Sequence, residues 1–300
     1  MLTNRRDFLL SSAAGAAISQ ATAAQPATLP KVKLGSYELM RLIVGANPFY
    51  GYSHFNRLFD SHMREWCTQE KVCEALRQCE LNGINTWQFS EHERSLPDIQ
   101  HHHETGGKLQ WIVLSGKKLE TEPGKIAEVA KMKPIGIVHH GGVTDSCFRK
   151  GTMDKVQEFL KRVRQSGVMV GMSTHTPEVI EYVEERNWDI DFYMTAVYCV
   201  TRPMEETRKL LGGELPLGEV YLDQDPARMY RMVRQTKKTC LAFKILAAGR
   251  RCDSAAELDR AFKFAFDSIK PQDCVIVGMY PRYSDQMKDN ADRVRRILTA

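Results

Sequence analysis

One pattern constrains this chain more than any other: a short, nearly continuous apolar run, then polar turn residues, then helix or loop, repeated eight times. The runs fall at 41–45, 84–90, 109–115, 135–139, 168–173, 190–198, 240–246 and 274–277. Runs this short, without strict alternation, are what strands buried on both faces of a parallel sheet require. Helical segments are read at 70–82, 123–132, 153–165, 177–186, 254–269 and 284–298. Gly83 and Gly167 stand where helix ends favour a left-handed residue, and Pro177 stands where a helix opens. Eight βα units in 300 residues predict class α/β and a single (β/α)8 TIM barrel. The alternative is a doubly wound open sheet. Gly45-Ala46-Asn47-Pro48 after the first run does not supply that fold's Gly-x-Gly-x-x-Gly turn.

The N-terminus carries a different signal. Asn4-Arg5-Arg6-Asp7-Phe8 precedes an apolar, small-residue run, and Ala21-Thr22-Ala23 offers a small-x-small cleavage site. This resembles a twin-arginine leader. It implies three parts: a signal peptide at 1–23, a Pro- and Ala-containing linker at 24–33 and the barrel at 34–300. The expected partner is the twin-arginine export machinery, and the expected location is periplasmic or secreted. No later run is long enough to span a bilayer, so no membrane contact is expected of the mature form. The net charge of +5 is mild and no basic run is interleaved with aromatics, which argues against nucleic acid as a partner. Eight cysteines make no C-x-x-C pair, so mostly free, buried thiols are expected.

In such a barrel, chemistry sits where strands end and βα loops begin. That rule turns scattered polar residues into candidates for binding a small-molecule substrate. Asn47, Tyr52 and His54 follow the first strand, Gln88 and Glu93 the second, His139, His140 and Asp145 the fourth. His175 follows the fifth, Tyr198 the sixth, Lys244 lies in the seventh, and Tyr280 and Arg282 follow the eighth. Adjacent strand residues point to opposite faces, so at most one of His139 and His140 faces the interior. Lys244, between Phe243 and Ile245, is expected to face inward as an anion anchor, a Schiff-base nucleophile or an acid/base group. His54, His140 and His175 make an alternative divalent-metal set. His101-His102-His103 is read as an exposed run in a polar loop. Residues 91–108 and 199–226 are long enough to act as lids.

Several segments carry a resemblance to the aldo/keto reductase superfamily across nearly all of the expected mature chain. They are Leu34-Gly35-Ser36-Tyr37-Glu38-Leu39 before the first strand, Asn82-Gly83-Ile84-Asn85 before the second, and Val277-Gly278-Met279-Tyr280 with Gln286 and Asn290 near the end. The resemblance implies an oxidoreductase acting on a carbonyl or sugar-like small molecule. It also implies NADP held by Gly278, Tyr280, Arg282, Gln286 and Asn290. The family's Asp, Tyr, Lys and His tetrad is not reproduced. Its Asp position falls on Gln88, its Tyr position on Glu93 and its Lys position on Ser115 or Gly116; only its His survives, as His139 or His140. Catalytic candidates are therefore His139, His140, Glu93, Lys244 and Gln88, and substrate contacts are Asn47, Tyr52, His54, His175 and Tyr198. Two other readings stand beside the reductase: a metal- or lysine-dependent lyase, isomerase or hydrolase, and a non-catalytic periplasmic binding protein.

Overall fold

The computed structural model describes residues 28–122 and 124–299. The expected leader, its cleavage site and Pro123 lie outside them. The chain begins with an antiparallel hairpin, β1 (Lys31–Leu34) and β2 (Tyr37–Met40), turned at Gly35 with φ +59°. Residues 31–33, read from the sequence as linker, are thus strand. Eight parallel strands follow: β3 (Leu42–Gly45), β4 (Thr86–Ser90), β5 (Gln110–Leu114), β6 (Gly136–His139), β7 (Met169–Thr174), β8 (Phe192–Ala196), β9 (Thr239–Phe243) and β10 (Cys274–Gly278). They pair in chain order, and β10 closes on β3 to complete the barrel. Every predicted apolar run overlaps one of them, with β7, β9 and β10 each reaching one residue beyond its run.

Alternation sorts the strand residues into two clusters. Ile43, Ile112, Leu114, Val138, Met194, Leu241 and Ile276 point inward and pack with Leu34 and Leu39 of the hairpin. The hairpin therefore seals the barrel's N-terminal end with apolar side chains. Val44, Trp87, Phe89, Trp111, Ile137, Met172 and Tyr193 point outward into the larger cluster beneath the helices. Trp87 and Phe89 lie 4.5 Å apart, and Phe89 stacks on Trp111 at 5.3 Å.

The loop expectations need correction. Residues 91–108 are no open lid, because they hold helix Ser95–Glu104. The histidine run lies on that helix, and His102 is fully buried 3.4 Å from Glu80, with Gly107 packed on its ring. Its neighbours pull the turn inward, a tertiary effect that composition does not carry. Helices Arg57–Trp66, Gly141–Arg149 and Met204–Leu211 also lack a prior reading. The predicted helix over 123–132 is helical at Lys125–Lys131. All eight cysteines are free, and five are buried, as their apolar surroundings predict. Among the described residues no helix is long and apolar enough to cross a membrane.

Candidate active site

The inward-facing pattern changes character towards the C-terminal end of the barrel. Gln88 takes the inward register between outward Trp87 and Phe89. Ser173 does the same beside outward Met172, and its buried hydroxyl has no hydrogen-bond partner. The two adjacent histidines separate as the alternation requires. His139 turns out of the barrel, its Nδ1 2.7 Å from Thr144 Oγ1 and its ring edge-on to Phe159 at 5.0 Å. Burial, with His140 adding to it, pushes His139 down to about 3. It is a packing residue, which corrects its reading as catalytic.

His140 caps helix Gly141–Arg149, and its Nδ1 accepts from the Gly142 amide at 3.2 Å. That bond leaves the Nε2 position as the N–H donor. Burial lowers its proton affinity, His175 and Lys244 lower it further, and Asp145 opposes them. The ring is therefore a neutral donor. His175 is the complement. Its Nδ1 donates to Asp145 Oδ2 at 2.8 Å, so its Nε2 is left with a lone pair. Asp145 is wholly buried and also accepts from the His175 amide, Thr174 Oγ1 and Thr201 Oγ1. Burial pushes Asp145 up, but these bonds outweigh it and hold the carboxyl below its ordinary value.

Lys244 lies one residue beyond β9, not inside a strand. Its backbone is left-handed, φ +63°, and this turn carries Nζ to 2.9 Å from His54 Nε2. His54 is left-handed too, φ +61°. Its Nδ1 donates to Glu219 Oε1 at 2.8 Å, and Tyr221 donates to Glu219 Oε2 at 2.8 Å. Asn47 Nδ2 lies 3.1 Å from His54 Nε2. Arg250, clamped between the rings of Phe55 and Tyr221, donates to the His54 carbonyl. Burial brings the Lys244 amine down to about 8, with Glu219 opposing and Arg250 assisting. Burial pushes Glu219 up, but His54, Tyr221 and Lys244 together hold it at about 2. An amine, a base within hydrogen-bond reach and a third group orienting that base form the pattern of an activated nucleophile.

The other expected site residues fare unevenly. Glu93 is exposed on the turn before helix Ser95–Glu104, so it is not the buried substitute acid. Tyr52 is half exposed and edge-on to His92, while Tyr198 is buried against Tyr221. The metal set does not form. His54 and His175 are tied to carboxylates, and among the described residues no group of three or more His, Cys, Asp or Glu side chains converges on a metal position. The nucleotide segment fits poorly. Gln286 Oε1 accepts from the Tyr280 amide, and buried Asn290 accepts from Arg293. Gly278 and Arg282 remain at the rim, with Arg282 against His62. Two of these side chains are thus tied within the chain, while the buried Tyr280 hydroxyl has no hydrogen-bond partner among the described residues, and no step here runs through NADP. Glu219, Tyr221 and Thr201 were missed. They sit in the Gly- and Pro-containing stretch after β8, where no periodicity marks a role.

No family model matches the sequence, and no curated protein matches it. Solved structures resemble the fold. A protein named Gox0644, solved in its apo form, has TM-score 0.55 at 8% identity, covering 91% of this chain and 88% of its own. A truncated 3-deoxy-D-arabino-heptulosonate 7-phosphate synthase from Thermotoga maritima has TM-score 0.54 at 12% identity, covering 91% and 92%. An aldo/keto reductase from Brucella melitensis has TM-score 0.50 at 9% identity, covering 90% and 93%. Aldo/keto reductases are thus among the structural neighbours, beside barrel enzymes of other chemistry, and what the chain shares with all of them is the barrel.

Proposed function

We propose that this chain is a lysine-dependent lyase or isomerase acting on a small carbonyl compound through an imine on Lys244. The observation that carries the reading is the Lys244–His54–Glu219 chain, with Nζ 2.9 Å from His54 Nε2 and His54 Nδ1 2.8 Å from Glu219. His54 takes a proton from the ammonium, and the amine lone pair attacks the substrate carbonyl carbon. The carbonyl oxygen takes one proton from the attacking nitrogen as the C–N bond forms and a second from His54, and the neutral His140 N–H is suited to polarise it. Loss of water leaves a protonated imine. His175 Nε2, held by Asp145, takes a proton from the neighbouring carbon or from a hydroxyl one carbon further on. Return of that proton elsewhere isomerises the substrate, whereas C–C cleavage from the hydroxyl releases a carbonyl fragment and leaves an enamine, whose carbon takes the proton back from His175 to restore the imine. Water then hydrolyses the imine and restores Lys244.

Two points support this over hydride transfer. The reductase tetrad is replaced by Gln88 and an exposed Glu93. Export, which we propose from the leader at 1–23, would also carry the chain away from the cytoplasmic nicotinamide pool, and a lysine needs no soluble cofactor. The test is borohydride trapping with a panel of small aldehydes, ketones and ketoses, followed by peptide mass spectrometry. A reduced adduct on Lys244, absent from Lys244→Met, is the expected result. Absence of any adduct, together with saturable NADPH binding, would return the chain to the reductase reading.

A further inference from the structure

Beside the lysine lies a cavity most of whose lining the chemistry above does not use. It measures about 550 Å3 and opens between the turn after β3 and the segment after β8. That volume is within the usual range for small-molecule sites, roughly 300–1,000 Å3. His54 and Glu219 are among its lining residues, so it is continuous with the Lys244 hydrogen-bond chain. Its lining also holds Phe55, Arg57, Asp60 and Arg202, beside apolar residues such as Val200 and Met204.

The charges of the lining decide what it suits. Arg57 and Arg202 stand with Asp60 and Glu219 in it, two guanidiniums and two carboxylates, so an anion gains little net attraction there. The hydrogen-bonding capacity, by contrast, is unfilled. The Arg202 side chain is 2% exposed; its NH2 group pairs with Asp225 and its Nε lies 3.5 Å from Glu206. Its NH1 group has no partner at all. A buried donor left this way costs free energy until an acceptor arrives. Arg57 is exposed at the first position of its helix. Asp60 accepts from Ser53 through Oδ1 alone, which leaves Oδ2 as an acceptor. Phe55 is half exposed, with Arg250 over its ring. Hydroxyl groups both donate and accept, so a chain of them satisfies donors and carboxylates together. The C–H face of such a chain packs on an aromatic ring.

We propose that this cavity binds the polyhydroxylated portion of the substrate, so that Lys244 reacts with the carbonyl of a sugar-like compound. The substrate class rests on the lysine reading; the polyol site does not, and the experiment separates the two. Sorbitol has no carbonyl and cannot form an imine. Saturation-transfer NMR with sorbitol is expected to detect binding to the wild-type chain and to Lys244→Met alike. Val200→Trp, which enlarges a half-buried lining residue, is expected to fill the cavity and abolish the signal. Arg57→Ala, at an exposed position, is expected to weaken binding roughly tenfold. Circular dichroism checks the fold of each variant. No transfer to the wild type overturns the polyol site, as does transfer unchanged in Val200→Trp. Inorganic phosphate binding with the same Val200 and Arg57 dependence, in place of sorbitol, overturns it in favour of an anion site. Sorbitol binding without any trapped adduct keeps the polyol site and removes the lysine chemistry.

Discussion

The two ends of the barrel are made by the same eight strands but follow opposite rules. At the sealed end, Leu34 and Leu39 of the hairpin meet Ile43, Ile112 and Cys274 in an apolar cluster. At the open end the same inward register holds Gln88 and Ser173, and beyond it lie His140, His175 and Lys244. Strain is shared unequally. Of the six non-glycine residues with positive φ among the described residues, His54, Lys244, Ala247 and Ala248 follow strand ends at the open end, whereas Lys133 and Asn187 lie in the turns that lead into β6 and β8. Each such residue costs on the order of 1–2 kcal/mol, a cost that persists only where the surroundings enforce it. One end is arranged for stability, the other holds groups that stability alone would not select.

Replacement of Lys244 is the sharpest way to break that comparison. Lys244→Met should abolish the trapped adduct, because no nucleophile remains. It should also leave thermal stability unchanged or raise it, since the fold disfavours the half-buried ammonium, bringing it down to about 8, and a thioether of similar volume replaces it. Leu39→Ala should do the reverse. It removes packing from the sealed end and should lower unfolding free energy by roughly 2–5 kcal/mol, with trapping on Lys244 retained. Urea titrations of the two variants check both. If Lys244→Met destabilises as Leu39→Ala does, the open end is structural and the lysine chemistry falls.

The next effect separates the two adjacent histidines. His139 titrates at about 3 when folded, against 6.5 for an exposed imidazole. Between those values the unfolded chain binds a proton that the folded chain does not, so stability falls as pH drops from 6.5 towards 3. At pH 5 the contribution of His139 to that loss is about 2 kcal/mol. His139→Gln should flatten this part of the stability profile while trapping on Lys244 persists, whereas His140→Gln should slow trapping. Equal loss of trapping in both variants would refute the assignment of opposite faces.

The barrel was legible because its signal is local. Short apolar runs such as 274–277 name their own strands, and the end-of-strand rule then picked out His54, His140, His175 and Lys244 from sequence alone. What was illegible depends on contacts distant in sequence. Glu219 reaches His54 across 165 residues, and Asp145 reaches His175 across 30. His102 looks solvated in a polar run and is buried only because Glu80 and Gly107 close over it. Glu93 failed for the opposite reason. Alignment to a family motif assigned it a role, while a helix start at Ser95 put it on the surface.

Glu219 gives the smallest effect and the most discriminating one. Its carboxylate raises the proton affinity of Lys244, while burial and Arg250 lower it to about 8. Glu219→Gln keeps an acceptor for His54 Nδ1 and removes the charge. The Lys244 titration should therefore move further down, and the rise of trapping rate with pH should shift to the acid side. The stability profile should move with it. The folded amine sheds its proton near pH 8 and the unfolded one near 10.5, so stability rises with pH across that window. In Glu219→Gln the window should open at lower pH. Parallel measurement of trapping rate and unfolding free energy against pH checks both shifts on one variant. If Glu219 served only to pack the segment after β8, trapping would lose amplitude with its midpoint unmoved, and the electrostatic link from that segment to the lysine would be refuted.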